Sequence, residues 1–301
     1  MTMAFRDWFW VLVLGGIWGF SFIFNAVLIV ELGPIWISAL RVCIGALGCW
    51  AVLFALGKPL PRDPLLWIKL GALGWLSYSI PFALYPLAQG SLASGVTAII
   101  NALTPIMTVI ISPLFRDGER ATPFKLIGVV CGFGGVAILA SPALAAGGSS
   151  QLWAIGACVG ATICYAFSLN ITRSFKAVEP TAFAVIALTG AGISSAIAAL
   201  AVEGVPSIAL PQTWGAAVGI GLIATTFAFI IMYRILPRIG ATNFSTVTFI
   251  APISAIIFGF ILLGETILPI HLIGMLAIFI GLLMIDGRLP RWLGVRRRAA
   301  H

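Results

Sequence analysis

Six side chains set inside apolar stretches have the chemistry to hold a small zwitterion: Trp18, Phe22, Tyr78, Asn101, Tyr165 and Ser168. An ammonium and a carboxylate need donors and acceptors, and an apolar side chain needs an aromatic wall. Asn101, Ser168 and the tyrosine hydroxyls supply the first; Trp18, Phe22 and the tyrosine rings supply the second. Groups for bond-breaking chemistry are missing from the same stretches. All nine Asp and Glu lie at or near the ends of apolar runs, His271 lies near such an end, and His301 is terminal. Cys43, Cys49, Cys131, Cys158 and Cys164 lie inside apolar runs with no metal-ligand spacing, where Cys behaves as a small apolar residue. We therefore expect no catalytic residues, no metal, no cofactor and no enzyme.

The elements that must position these residues follow from composition. Hydrophobic residues make up 61% of the chain and charged ones 9%, far from the balance of soluble domains. Apolar runs near 20 residues joined by short polar segments predict an all-α polytopic membrane protein. The runs do not alternate, which excludes a β-barrel. Ten spans are read at about 8–29, 34–56, 65–88, 92–114, 123–142, 152–172, 181–202, 212–233, 243–263 and 268–286. The first run is too long for a signal peptide and lacks its cleavage pattern, so it is kept as a span.

The segment Gly118–Gly128 recurs at Gly264–Gly274. Gly118, Glu119, Pro123, Leu126, Ile127 and Gly128 each meet the same residue type 146 positions later, and Gly135 matches Gly281. In a 301-residue chain this period means two copies of one unit. The first copy covers 1–142, a linker 143–151, the second copy 152–287, and a basic tail 288–301. Of the 17 Lys and Arg, 16 fall on one side if the N-terminus is cytoplasmic, which places both termini in the cytoplasm. The net charge of +8 is then a topology signal, not a nucleic-acid footprint. Five spans per copy is an odd number, so the second copy is inverted, as in secondary transporters with a midplane site.

Within the spans, Trp18, Phe22 and Asn25 share a helical face, as do Thr97, Asn101 and Thr104. The third span is richest in polar groups, with Ser77, Tyr78, Ser79, Tyr85 and Gln89, and its Pro81 interrupts the backbone ladder. Pro105 and Pro252 should kink spans four and nine, either as bend points or as static shape. Arg41 is the one charge well inside a span. The favoured reading is structural, snorkelling outward or bonding backbone carbonyls; the other is a cavity-facing attractor for a carboxylate. Glu119 and Glu265 read as caps of the helices they precede. Tyr233, Trp67 and Trp214 read as interfacial belt residues. Spans five and ten, largely aliphatic and glycine, read as peripheral and packed through Gly128 and Gly132.

The chain resembles the drug/metabolite transporter superfamily in its EamA-type, ten-helix branch. The residues that carry the likeness are Trp18-Gly19, Pro34 with Arg41, Gly95 through Pro105, Gly118-Glu119, Leu126-Ile127-Gly128 and Gly134-Gly135. In the second copy they are Pro252, Gly264-Glu265 and Leu272-Ile273-Gly274. Among its members the chain is most similar to the aromatic amino-acid exporters. The resemblance implies a multi-pass inner-membrane exporter of aromatic and other neutral amino acids and related metabolites, working by alternating access. Its partners would be that substrate and membrane lipid, with no nucleic acid, and a monomer is compatible with it. No carboxylate or His stands in the pathway, so we expect no tight proton coupling. The alternatives are a multidrug or hydrophobic-compound exporter and a lipid flippase.

Overall fold

The computed structural model of the chain describes residues 4–115 and 122–289, apart from the side chains of Ala241 and Thr242. Gly118 and Glu119, with Arg116 and Arg120, lie outside the described residues, as does the tail from Arg291. Eight helical runs are long and apolar enough to cross a membrane. They are α1 (Phe5–Leu28), α2 (Pro34–Ala55), α3 (Pro64–Gln89), α4 (Ser94–Leu114), α5 (Pro123–Ala145), α6 (Ser149–Phe175), α7 (Pro180–Val202) and α8 (Pro211–Gly240). Two shorter apolar helices follow, α9 (Val247–Leu263) and α10 (Pro269–Ile285). At 17 residues each, these last two are about 25 Å long, slightly under the hydrocarbon thickness. Among the described residues there is no strand.

Helix starts follow local chemistry. Pro34, Pro64, Pro123, Pro180, Pro211 and Pro269 each occupy a first helical position, where a missing N–H removes no bond. Asp63, Thr122 and Glu179 cap α3, α5 and α7 through their own side chains. Gly264 ends α9 in the left-handed region at φ 65°. The expected linker is shorter than its composition suggested. Weak helix formers such as Ser149 and Ser150 are absorbed into α6, leaving only residues 146–148 between α5 and α6.

Three helices are irregular in their middles. α3 widens to a π-helix over Trp75–Ser79, just before Pro81, and α8 does so over Gly219–Phe227. α4 breaks at Ala102 and Leu103, immediately before the turn that carries Pro105. Hydroxyls satisfy the carbonyls loosened there. Ser38 donates to the Ser79 carbonyl at 2.9 Å, and Thr225 donates to that of Ile220 at 3.0 Å. In an apolar surround such bonds replace those that water would make.

The helices pack in a self-consistent set of pairs. α1 lies on α8 and α9, α6 on α3 and α4, α2 on α7 and α8, and α3 on α7. α4 meets α9, and α5 meets α10. These pairs exchange among themselves when each helix is replaced by the one five places away, whereas the packing of α2 on α3 has no comparable counterpart between α7 and α8. The α5–α10 seam is made by glycines. A Cβ on Gly128 would stand 2.6 Å from the Gly281 carbonyl oxygen, and one on Gly135 would stand 2.7 Å from that of Gly274. Only hydrogen side chains let two backbones meet this closely.

Candidate binding site

Between α1, α2, α3, α6 and α8 the side chains change from aliphatic to aromatic. On α3, Tyr78, Phe82 and Tyr85 recur at helical spacing and so form one face. Tyr78 packs on Phe82 and on Phe229 of α8, both with ring centres 5.8 Å apart. Phe229 continues to Tyr233 at 6.0 Å. Tyr85 meets Phe22 of α1 at 5.6 Å and Tyr165 of α6 at 6.2 Å. The Tyr85 hydroxyl donates to Asn101 Oδ1 at 2.6 Å, directly beside the break in α4. Rings from four helices thus gather along one face of α3, and they reach the Asn101 amide at its Tyr85 end.

Arg41 enters this group from α2. Its guanidinium carbon lies 3.7 Å from the centre of the Phe82 ring, a cation–π contact. Its Nε donates to Thr225 Oγ1 at 3.3 Å, and the phenols of Tyr165 and Tyr85 lie within its electrostatic reach. The residue is 7% exposed. Arg41 thus does not snorkel outward, and among the described residues its bond goes to a side-chain hydroxyl and not to a backbone carbonyl. The π-helical segment of α8 presents Thr225 to it, and the α3 aromatic face gives it a ring to lie on.

The structure brings Phe22, Tyr78, Asn101 and Tyr165 to one region and places Trp18 in another. The Trp18 ring packs against Phe244, with centres 6.2 Å apart, in the separate cluster formed by Val11, Leu14 and Ile231. Ser168 is buried and its hydroxyl meets that of Ser77 at 2.5 Å, which ties α6 to the π-helical turn of α3. Pro105 stands second in the helical segment after the α4 break, whereas Pro252 lies within the single helix α9. Tyr233, read from sequence as a belt residue, packs on Phe229 because α8 continues beyond it to Gly240. Phe82 and Phe229 were not singled out from sequence. The Tyr78–Phe82–Tyr85 and Phe229–Tyr233 spacings were the signal that could have found them.

The two ends of the bundle differ in chemistry. At the end where α1 finishes, three carboxylates cap helices to which they do not belong. Glu203 accepts from the Ile35 and Trp36 amides of α2, both at 2.9 Å. Glu31 accepts from the Ala209 and Leu210 amides and from the Thr213 hydroxyl at the start of α8. Thr213 foremost holds the Glu31 carboxyl below its usual range; burial opposes it, and the Ala209 and Leu210 amides add to the lowering. Glu265 accepts from Ser94 at 2.7 Å and Gly95 at 3.3 Å, the first amides of α4. Glu265 is thus a cap, but of α4 and not of the helix it precedes, because the left-handed turn at Gly264 directs it across the bundle.

Below these caps, Asn25 donates to Gln89, and Gln89 donates to the Phe22 carbonyl and to Ser94. This polar chain joins α1, α3 and α4. The opposite end carries the basic residues. Arg238 pairs there with Asp7, joining α8 to α1, and Arg288 donates to Thr246 at 3.0 Å. A cavity of about 210 Å³ lies at this end, lined by Trp10, Phe227, Ile231 and three arginines, Arg6, Arg234 and Arg238.

Comparison with known proteins matches this architecture twice over. The model of the EamA-like transporter family fits residues 8–141 and again 152–286. The chain is 25% identical over 280 residues to the uncharacterized transporter YoaV of Bacillus subtilis (strain 168), covering 89% of this chain and 92% of that one. It is 23% identical over 265 residues to a probable terminal-alkyne amino-acid exporter of Streptantibioticus cattleyicolor, covering 88% of this chain and 86% of that one. A solved crystal structure superposes with a TM-score of 0.68 at 20% identity, over 96% of this chain and 98% of that one. At that identity the likeness concerns the fold.

Proposed function

Because this chain belongs to the EamA-like transporter family, within the drug/metabolite transporter superfamily, we propose that it exports neutral amino acids, aromatic ones foremost, by alternating access across the cell's inner membrane. That the chain is a membrane transporter follows from the family and from its apolar helices. The substrate class rests chiefly on one observation: the ring chain of Phe22, Tyr85 and Tyr165 meets hydrogen-bonding Asn101 through the Tyr85 hydroxyl, and one turn away along α3 the Phe82 ring carries cationic Arg41. An apolar side chain finds rings there, and its charged backbone groups find an amide and a guanidinium. The relative named as an amino-acid exporter points the same way.

The reading takes all ten apolar helices as spans and divides them into copies 1–142 and 152–287, inverted with respect to each other. Support comes from the helix pairs that survive the five-place exchange and from the reciprocal glycine contacts of α5 and α10. The π-helical segments agree as well: shifting Trp75–Ser79 by 146 positions lands it inside Gly219–Phe227. With the basic end facing the cytoplasm, both termini are cytoplasmic and the carboxylate-capped end is the outer one. The caps and the polar chain below them then form the outer gate. Pro105, at the broken middle of α4, and Pro252 in α9 serve as bend points.

Transport should run without tight proton coupling, since no carboxylate or His faces the aromatic group among the described residues. Purified protein in liposomes tests the reading. Tryptophan and threonine flux, measured with and without an imposed pH gradient, should be present in both conditions and similar between them. Flux that needs the gradient would contradict the uncoupled mechanism, and no flux of either amino acid would remove the substrate assignment.

A further inference from the structure

We propose that Arg41 is the receptor for the substrate's carboxylate, so that the site selects aromatic and other apolar compounds by an acid group and rejects the same compounds without one. The inference rests on the transport reading above and adds the group that recognises the charge. Arg41 is enclosed by the bundle, yet no acidic side chain lies within ion-pair distance of it among the described residues. Among the described residues its one hydrogen bond runs through Nε to the neutral hydroxyl of Thr225. Neither Nη nitrogen meets an acceptor among the described residues, and neither is sealed from free space by protein. Four N–H donors therefore remain without a protein partner on a cation largely enclosed by the bundle.

A lone buried cation is a costly thing to fold around. Thr225 and the Phe82 face offset part of that cost and fix the plane of the guanidinium. What they leave unmet is an anion with two oxygens set side by side, the geometry that a planar fork accepts best. The guanidinium lies within electrostatic reach of Tyr85 and Tyr165, and the Asn101 amide oxygen, which accepts from the Tyr85 hydroxyl, has a second lone pair for an ammonium. A carboxylate on Arg41 thus leaves an apolar side chain among the rings. Recognition by a fixed guanidinium also requires no protonatable group in the pathway, in keeping with the carboxylates' placement at helix ends.

The experiment compares labelled L-tryptophan with L-tryptophanamide, which keeps the ring and the ammonium but has no carboxylate, in liposomes holding wild type, Arg41→Gln or Arg41→Lys. Flux is taken net of protein-free vesicles. Wild type should prefer tryptophan by about 30-fold or more, the loss expected when one partner of an enclosed charge pair is removed. Arg41→Gln should erase that preference, and Arg41→Lys, which keeps the charge but loses the fork, should fall between. Equal flux of the two probes through wild type would overturn the proposal, as would an Arg41→Gln variant that keeps the preference.

If neither probe moves through wild type, the transport reading itself falls, and binding decides the role of Arg41. A rise in melting temperature on adding L-tryptophan to wild type but not to Arg41→Gln would uphold it, and no rise in wild type would overturn it. Because the wild-type comparison needs no variant, a failure of Arg41→Gln to fold leaves the test intact.

Discussion

The Glu265 carboxylate reaches across the bundle to close the N-terminus of α4, accepting the Ser94 amide proton at 2.7 Å, although 171 residues separate the two in sequence. The α4 start has no side-chain cap of its own, so its first amides depend on a residue from the α9–α10 turn. α2 and α8 are likewise uncapped locally and depend on Glu203 and Glu31. Helix ends that borrow their caps can release them together when the turns move apart. That is the property an outer gate needs.

Removing the borrowed cap should loosen α4 first. Glu265→Ala should cost about 1 kcal/mol at this helix end, the usual worth of a cap. Hydrogen exchange should show the Ser94 and Gly95 amides opening several-fold faster while those of α5 are unchanged. Unchanged exchange at Ser94 would mean that the contact does not hold the end closed.

Acid should act on the same end of the bundle. The Glu31 carboxyl is held below its ordinary value of 4.5 by Thr213 and the Ala209 and Leu210 amides. A group whose folded pKa is depressed contributes stability above its unfolded pKa and loses it as pH falls through the folded one. The Glu31 contribution should therefore be flat from pH 8 to pH 5 and fade only below about 4.5. Melting curves of wild type and Glu31→Gln across that range should converge only at the acid end; convergence near neutral pH would reverse the sign.

The glycine seam should be selective. Gly128→Ala places a Cβ 2.6 Å from the Gly281 carbonyl oxygen and should destabilise by about 1–3 kcal/mol, the range for overpacking a tight contact. Gly134→Ala, six positions on along α5, meets open space and should be neutral or slightly stabilising. Thermal unfolding in detergent should separate the pair; equal effects would mean that α5 and α10 do not meet through this face.

The aromatic cluster carries the binding prediction. Tyr78→Ala removes the ring between Phe82 and Phe229 and should reduce tryptophan flux by tenfold or more, at about 1.4 kcal/mol per factor of ten. Trp18→Ala, in a different cluster against Phe244, should reduce it far less. Equal losses would return Trp18 to the site.

Much of the architecture was legible in the sequence because hydrocarbon imposes a length and a composition on each span. The helices lie within a few residues of the expected ranges, except that α8 runs seven residues further, to Gly240, and α9 begins four residues later, after a turn at Ser245 and Thr246. Gly128 read correctly as a packing residue, since close approach is the main use of glycine in such helices.

Residues whose role depends on a distant part of the chain were less legible. Nothing local says that Glu265 turns away from its own helix toward Ser94, nor that Ser168 is engaged by Ser77. The partners of Arg41 were not legible because sequence gives depth along a helix but not the facing ring and hydroxyl, which come from Phe82 and Thr225 on other helices.

The most direct test of the central claim, one substrate site reached in turn from both sides, is counterflow. Liposomes containing the protein are loaded with unlabelled tryptophan and diluted into a trace of labelled tryptophan, with no pH gradient. The account predicts a transient accumulation of label inside above its outside concentration, abolished by Tyr78→Ala. A monotonic rise to equal concentrations, or no uptake, would contradict it.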